Sequence, residues 1–107
     1  MKSILILISS SPNTTESGQA LDLARGLLEQ GNELGIFFLQ DGVYHALNPA
    51  DSPALFPNER ISAYCMVEDL EMRGFRDGDV VLPVTLSSYD ELVDLMMERF
   101  STTIGTF

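Results

Sequence analysis

The sequence predicts an α/β protein, a single-domain three-layer α/β/α sandwich built on an open, mostly parallel sheet of about five strands. Three observations carry that expectation. Ile4-Leu5-Ile6-Leu7-Ile8 is an unbroken β-prone run, the pattern of a strand covered on both faces. A helix-periodic stretch follows, and a second apolar run occupies residues 34–39, so the first third of the chain reads strand, crossover helix, strand. Right-handed βαβ geometry is the default outcome of that order. The alternation then continues to the end of the sequence.

The first helix is expected to open at a capping box formed by Asn13 and Glu16. It should run to about Gln30, with Ala20, Leu23, Ala24, Leu27 and Leu28 on one stripe, and Gly31-Asn32 stopping it. Gln40-Asp41-Gly42 ends the second strand, and residues 43–47 suggest a short helix. Residues 48–58 hold Pro49, Pro53 and Pro57 and are expected to be loop. Residues 60–65 form a third strand candidate and residues 66–73 a helix with Met66, Val67 and Leu70 inward, closed by Gly74. In residues 75–86, Asp77-Gly78 marks a turn, and Val80-Val81-Leu82 is a candidate short strand. Ser88 and Glu91 make a second capping box, opening a helix with Leu92, Val93, Leu95, Met96 and Phe100 on one face. Residues 102–107 read as the last strand.

Composition narrows the function classes. The 107 residues suffice for one domain, and 45% hydrophobic with 21% charged residues is a globular balance. Six Lys+Arg against sixteen Asp+Glu leave a net charge of −10, which repels phosphate backbones and anionic lipid, so neither nucleic acid nor membrane is expected as a partner. One cysteine makes no intrachain disulfide, and one cysteine with one histidine makes no zinc site by itself. No metal or organic cofactor is expected. The five-residue run at 4–8 is too short for a secretory core, and Ser9-Ser10-Ser11-Pro12 offers no cleavage site. A cytoplasmic location follows as an expectation, consistent with a lone cysteine in a reducing compartment.

Sites in open α/β sheets lie outside the carboxyl ends of the strands. Cys65 is the sharpest candidate there, at a strand end and the first turn of a helix, where free N–H groups and the dipole favour a thiolate. The competing reading is a small buried hydrophobe. Glu68, Asp69 and Glu71 push the thiol pKa up, while Arg60, Arg73 and Arg76 are available to offset them. His45, the only imidazole, belongs to the second loop on that edge, where it serves either as a base or proton shuttle near Cys65 or as a solvated loop residue. Asp41 stands at a strand end, although Asp-Gly is also ordinary turn chemistry. Residues 9–15, rich in Ser and Thr, could cradle a phosphate but match neither a Walker loop nor GxGxxG, and loop and cap duty explains them as well. Met66, Met72, Met96 and Met97 are expected in the core or at a subunit contact.

The order of these features resembles the DsrE/DsrF/TusD family of small sulfur-relay proteins. The likeness rests on Ser3-Ile4-Leu5-Ile6-Leu7-Ile8 with its polar loop and Ala-Leu-rich helix, and on Phe37-Phe38-Leu39-Gln40-Asp41-Gly42-Val43. It continues through Cys65 and the short helix ending Arg73-Gly74, then Leu86-Ser87-Ser88-Tyr89-Asp90-Glu91-Leu92 and Ile104-Gly105-Thr106-Phe107. The resemblance implies one DsrE/DsrF-like domain over residues 1–107 and assembly into a homo-oligomer, trimer or hexamer, or a hetero-oligomer with paralogues. It also implies that Cys65 accepts sulfane sulfur as a persulfide from a donor protein and passes it to an acceptor protein. Two rivals remain at this level. One is a binding or assembly subunit of the same fold in which Cys65 only packs. The other is a flavodoxin-like FMN binder, disfavoured by the absence of Trp and of an aromatic pair for the flavin ring.

Overall fold

The computed structural model describes residues 2–51, 53–56 and 58–107. Five parallel strands form one sheet in the order β4-β3-β2-β1-β5. They are β1 (Ser3–Ile8), β2 (Glu33–Phe38), β3 (Ile61–Met66), β4 (Thr85–Ser87) and β5 (Thr102–Ile104). The helices are α1 (Thr15–Glu29), α2 (Val67–Met72) and α3 (Tyr89–Asp94), the last running into a π-helical turn at Leu95–Arg99.

The strand order explains the layers. From β1 the chain steps outward to β2, β3 and β4, then returns across the sheet to place β5 on the other side of β1. One handedness of crossover therefore puts α1 and α2 on one face and α3 on the other. The side chains agree. Ile4, Ile6 and Ile8 of β1, Leu34, Ile36 and Phe38 of β2, and Ile61 and Cys65 of β3 pack with Ala20, Ala24 and Leu28 of α1 and Leu70 of α2. Leu5, Leu7, Phe37 and Met66 point the other way, onto Leu92 and Phe100. This two-sided burial is why the strands read as continuous apolar runs.

Several local expectations are corrected. The α1 cap is Thr14, whose hydroxyl accepts from the Ser17 N–H at 3.3 Å, and not Asn13, which sits one residue earlier at φ 67. Val80-Val81-Leu82 is not a strand: Val81 N–H and Leu82 N–H both donate to the Ala46 carbonyl, so this segment lies over the loop after β2. β4 comes later, at Thr85–Ser87. The last strand stops at Ile104, although Phe107 N–H still donates to the Leu7 carbonyl. On α3 the expected apolar face splits, with Leu92 and Phe100 buried and Val93 and Met96 turned outward. The π turn shifts the side-chain phase after Asp94, which a 3.6-residue period cannot anticipate. Met66 closes β3 rather than opening α2. Pro49–Asp51 forms a 3-10 turn inside the expected loop, whose Pro57 lies outside the described residues.

Candidate functional site

The carboxyl edge of the sheet carries two neighbouring corners, one around Cys65 and one around His45. Both are built by the 3-10 turn at Gln40–Ala46, which leaves β2 and folds back over the sheet. Gly42 makes that return possible: a Cβ there would collide with the Ile8 carbonyl at the end of β1. The glycine is required by this close approach.

Cys65 is the fifth residue of β3, paired in register with Phe38 on one side and Leu86 on the other. Its side chain points to the α1–α2 face, in the cluster that contains Val43 and Ala46 of the 3-10 turn, Leu70 of α2 and Leu82. It is 0% exposed. Burial, with a smaller contribution from the Asp69 carboxylate, pushes the thiol pKa up to about 12. Burial thus opposes the thiolate expected at a helix start. α2 begins two residues later, has only six residues and carries Glu68 and Asp69 in its first turn, so its dipole gives little to the sulfur.

A charged cluster closes the surface between the turn and α2. Asp69 Oδ2 accepts from the Gln40 N–H at 2.6 Å, and Arg73 donates to Asp41 Oδ1 from Nη2 at 2.9 Å and from Nε at 3.3 Å. Arg73 also donates to the Asp69 carbonyl at 3.1 Å and lies 3.9 Å from its carboxylate. Asp41 thus spends its charge on Arg73. Arg60 is at the opposite end of β3, donating to the Leu28 and Asn32 carbonyls, and does not offset the acidic run beside Cys65. Tyr44 of the turn meets Phe75 edge-on, with ring centroids 5.9 Å apart.

His45 is 2% exposed, so it is not a solvated loop histidine. Nε2 is 3.0 Å from the Ser17 hydroxyl, and the ring stacks on Phe38 with centroids 5.2 Å apart. Ser17, 1% exposed on α1, also reaches the Ser10 hydroxyl at 2.8 Å and the Ser11 carbonyl at 2.9 Å. Burial drives the His45 pKa below its ordinary value, opposed by backbone carbonyls of Asp51 and Ser10 and by the Asp51 charge. A cleft of about 230 Å³ lined by Asn13, Thr14, Ser17, His45 and Asp51 opens beside it. The phosphate-cradle reading of residues 9–15 loses two of its backbone donors: Ser9 and Ser10 N–H both go to the Phe107 carbonyl oxygen, at 2.7 and 3.1 Å. Among the described residues, no cluster of three His, Cys, Asp or Glu side chains is placed to hold a metal ion.

A model of the DsrE/DsrF-like family matches residues 2–102. The chain belongs to the DsrE/DsrF-like family. Its fold is shared by the YchN protein of E. coli, with 20% identity and a TM-score of 0.76 over 97% of this chain and 98% of that one. A protein of unknown function from Methanobacterium thermoautotrophicum superposes with a TM-score of 0.78 at 12% identity, over 97% and 100% of the two chains. A Thermotoga maritima protein solved by solution NMR gives 0.57 at 24% identity, over 87% and 90%. At these identities the likeness is one of fold. No curated protein matches the chain by sequence.

Sequence reasoning missed Ser17 and the pairing of Arg73 with Asp41. A signal existed for Ser17, and for Arg73 only toward Asp69. Ser17 falls in helical phase with Ala20, Ala24 and Leu28, a polar residue on the buried stripe, and Asp69 precedes Arg73 by one helical turn. The long-range partners, His45 and Asp41, had no local signal.

Proposed function

We propose that this chain is a sulfur-relay protein in which Cys65 carries sulfane sulfur as a persulfide. The observation that carries the reading is the position of the only cysteine, at the carboxyl end of β3 on the sheet edge where α/β proteins place their chemistry, in a member of the DsrE/DsrF-like family. The Cys65 thiolate attacks the outer sulfur of a donor persulfide. A bond forms between Cys65 Sγ and that sulfur, the donor S–S bond breaks, and its electron pair leaves on the donor thiolate. An acceptor thiolate then attacks the outer sulfur of Cys65–SSH, and Cys65 leaves as thiolate. The exchange has no net redox change and needs no metal or cofactor. A pKa near 12 keeps the resting thiol neutral and unreactive, so the reactive form arises when the site opens or meets a partner. In this reading Asp41 and His45 hold the turn over the thiol, through Arg73 and Ser17, and move no proton.

The partners are donor and acceptor proteins and further copies of this subunit. On the α3 side of the sheet Met97 is 78% exposed, and Tyr89 and Val93 of α3 with Met96 of the π turn add apolar surface, a composition suited to an interface core. Among the described residues no helix is long and apolar enough to cross a membrane. The test is mass spectrometry of reduced protein after exposure to a persulfide donor. A gain of about 32 Da, one sulfur atom, is expected on the wild type and not on Cys65→Ala. No adduct, or an equal adduct on the variant, overturns the reading.

The complete burial of Cys65 favours a second reading, an assembly subunit in which the thiol only packs. It predicts that native protein resists iodoacetamide for as long as it stays folded.

A further inference from the structure

Two short elements that diverge from adjacent strands share the buried cluster of Cys65. The 3-10 turn leaves β2 and contributes Val43 and Ala46 to the thiol's cluster; α2 leaves β3 and contributes Leu70. The two elements are short, seven and six residues, and Tyr44 of the turn meets Phe75 just beyond α2 edge-on. Their outer surfaces are also tied by charge. Arg73 of the α2 end reaches Asp41 of the turn at 2.9 Å, and Asp69 of α2 accepts from the first N–H of the turn at 2.6 Å. Gln40, the residue tied by Asp69, stands at φ 51, a left-handed conformation uncommon for a residue with a side chain.

We propose that the Asp41–Arg73–Asp69 clasp is a gate on Cys65: closed, it holds the turn and α2 together over the thiol, and its opening admits an attacking or alkylating molecule to the sulfur. This deepens the carrier reading by supplying the step that exposes its reactive atom. The clasp is suited to such a step because one end of it stands in water. The Asp41 side chain is 61% exposed, against 23% for Arg73 and 16% for Asp69, so the Asp41–Arg73 contact is the weaker, salt-sensitive end, unlike the strand ladder beneath it. Local opening of a short segment needs less free energy than global unfolding. The Asp69 carboxylate also raises the Cys65 pKa, so moving α2 away both uncovers the sulfur and removes a charge that opposes its ionisation.

Iodoacetamide alkylation of reduced protein, followed by mass, tests the gate beside urea unfolding of the same samples. Asp41→Asn and Arg73→Gln are expected to alkylate roughly three- to tenfold faster than wild type, with the double variant no faster than either single one. Raising salt from about 50 to about 500 mM should speed the wild type and leave the variants unchanged. Screening a net charge of −10 stabilises the chain as a whole, so a reaction running through global unfolding would slow instead. Leu95→Ala, on the opposite face of the sheet, serves as the control: it lowers global stability without touching the clasp. Variant rates within twofold of wild type, or a Leu95→Ala rate above both clasp variants, overturn the gate. The readout needs no sulfur donor. Clasp-dependent alkylation without any sulfur adduct supports the gate and sinks the carrier, whereas an adduct forming at one rate in all variants does the reverse.

Discussion

The two corners of the sheet edge bury a titratable group each and do so by opposite means. At His45 the ring enters the core with polar company: the Ser17 hydroxyl, backbone carbonyls of Ser10 and Asp51, and a stacked Phe38. At Cys65 the thiol enters apolar company, and the polar groups sit outside it as a clasp. Burial disfavours the charged form in both, so it lowers the histidine pKa and raises the cysteine pKa. The difference lies in what opening costs. Parting the His45 corner breaks buried hydrogen bonds, while parting the Cys65 corner breaks partly exposed charge pairs and apolar contacts. One corner is built to stay shut and the other is able to yield.

The largest effect is expected where the corners share a foundation. Gly42→Ala drives a methyl into the Ile8 carbonyl, backbone against backbone, with no side chain able to give way. A loss of about 3 kcal/mol is expected, read as a lower urea midpoint, together with faster Cys65 alkylation. An unchanged midpoint would mean that the turn does not rest on β1.

Next come the two anchors. Ser17→Ala removes a hydroxyl that serves His45, Ser10 and Ser11 at once, and a loss of about 2 kcal/mol is expected in urea unfolding. Cys65→Ala leaves a small apolar void and should cost about 1 kcal/mol. The reverse order would place the stronger anchor at the thiol and break the contrast drawn above.

The pH dependence separates the corners by sign. His45 is neutral when buried, with a folded pKa below the ordinary 6.5. Between those two values the unfolded chain binds a proton that the folded chain does not, so stability falls as pH drops through 6.5. Cys65 has a folded pKa of about 12 against an ordinary 9.0, so its contribution is intact below pH 9 and declines as pH rises from 9 toward 12. Melting temperatures across this range should show His45→Gln flattening only the acid side and Cys65→Ala only the alkaline side. A variant that flattens the other limb contradicts the assignment.

The fold was legible because it is written in local patterns. Residues 4–8 and 34–39 are apolar without a break since both sheet faces are covered, and α1 repeats its stripe at the helical period. Cys65 was legible as a residue but not as an environment, because its buried cluster includes Val43 and Ala46 of one turn and Leu82 from far along the chain. The short helix expected at 43–47 is present as a 3-10 turn that starts earlier, at Gln40, where Gly42 lies against Ile8. The π turn after Asp94 was not legible, because it goes with a tertiary contact, Phe100 against Gly35, and not with any 3.6-residue repeat. Local reading also placed the α1 cap at Asn13, where Glu16 three residues on completes a capping-box spacing. The chain spends Asn13 on a left-handed turn and lets Thr14 cap.

The smallest effect on stability is expected at the clasp itself, and this sharpens the comparison most. Asp41→Asn keeps shape and a hydrogen-bond acceptor while removing the charge that holds Arg73. With Asp41 mostly in water, the expected loss is under about 1 kcal/mol, less than about 5 °C in melting temperature. The Arg25–Asp22 pair at 3.0 Å on α1 is more exposed and lies away from either corner, so Asp22→Asn should give a shift no larger. The two variants are expected to part only in thiol chemistry, where Asp41→Asn quickens Cys65 alkylation and Asp22→Asn does not. A melting shift at Asp41→Asn as large as that of Ser17→Ala would make the clasp a structural anchor like the His45 corner. In that case the thiol corner does not yield, and the two corners are alike.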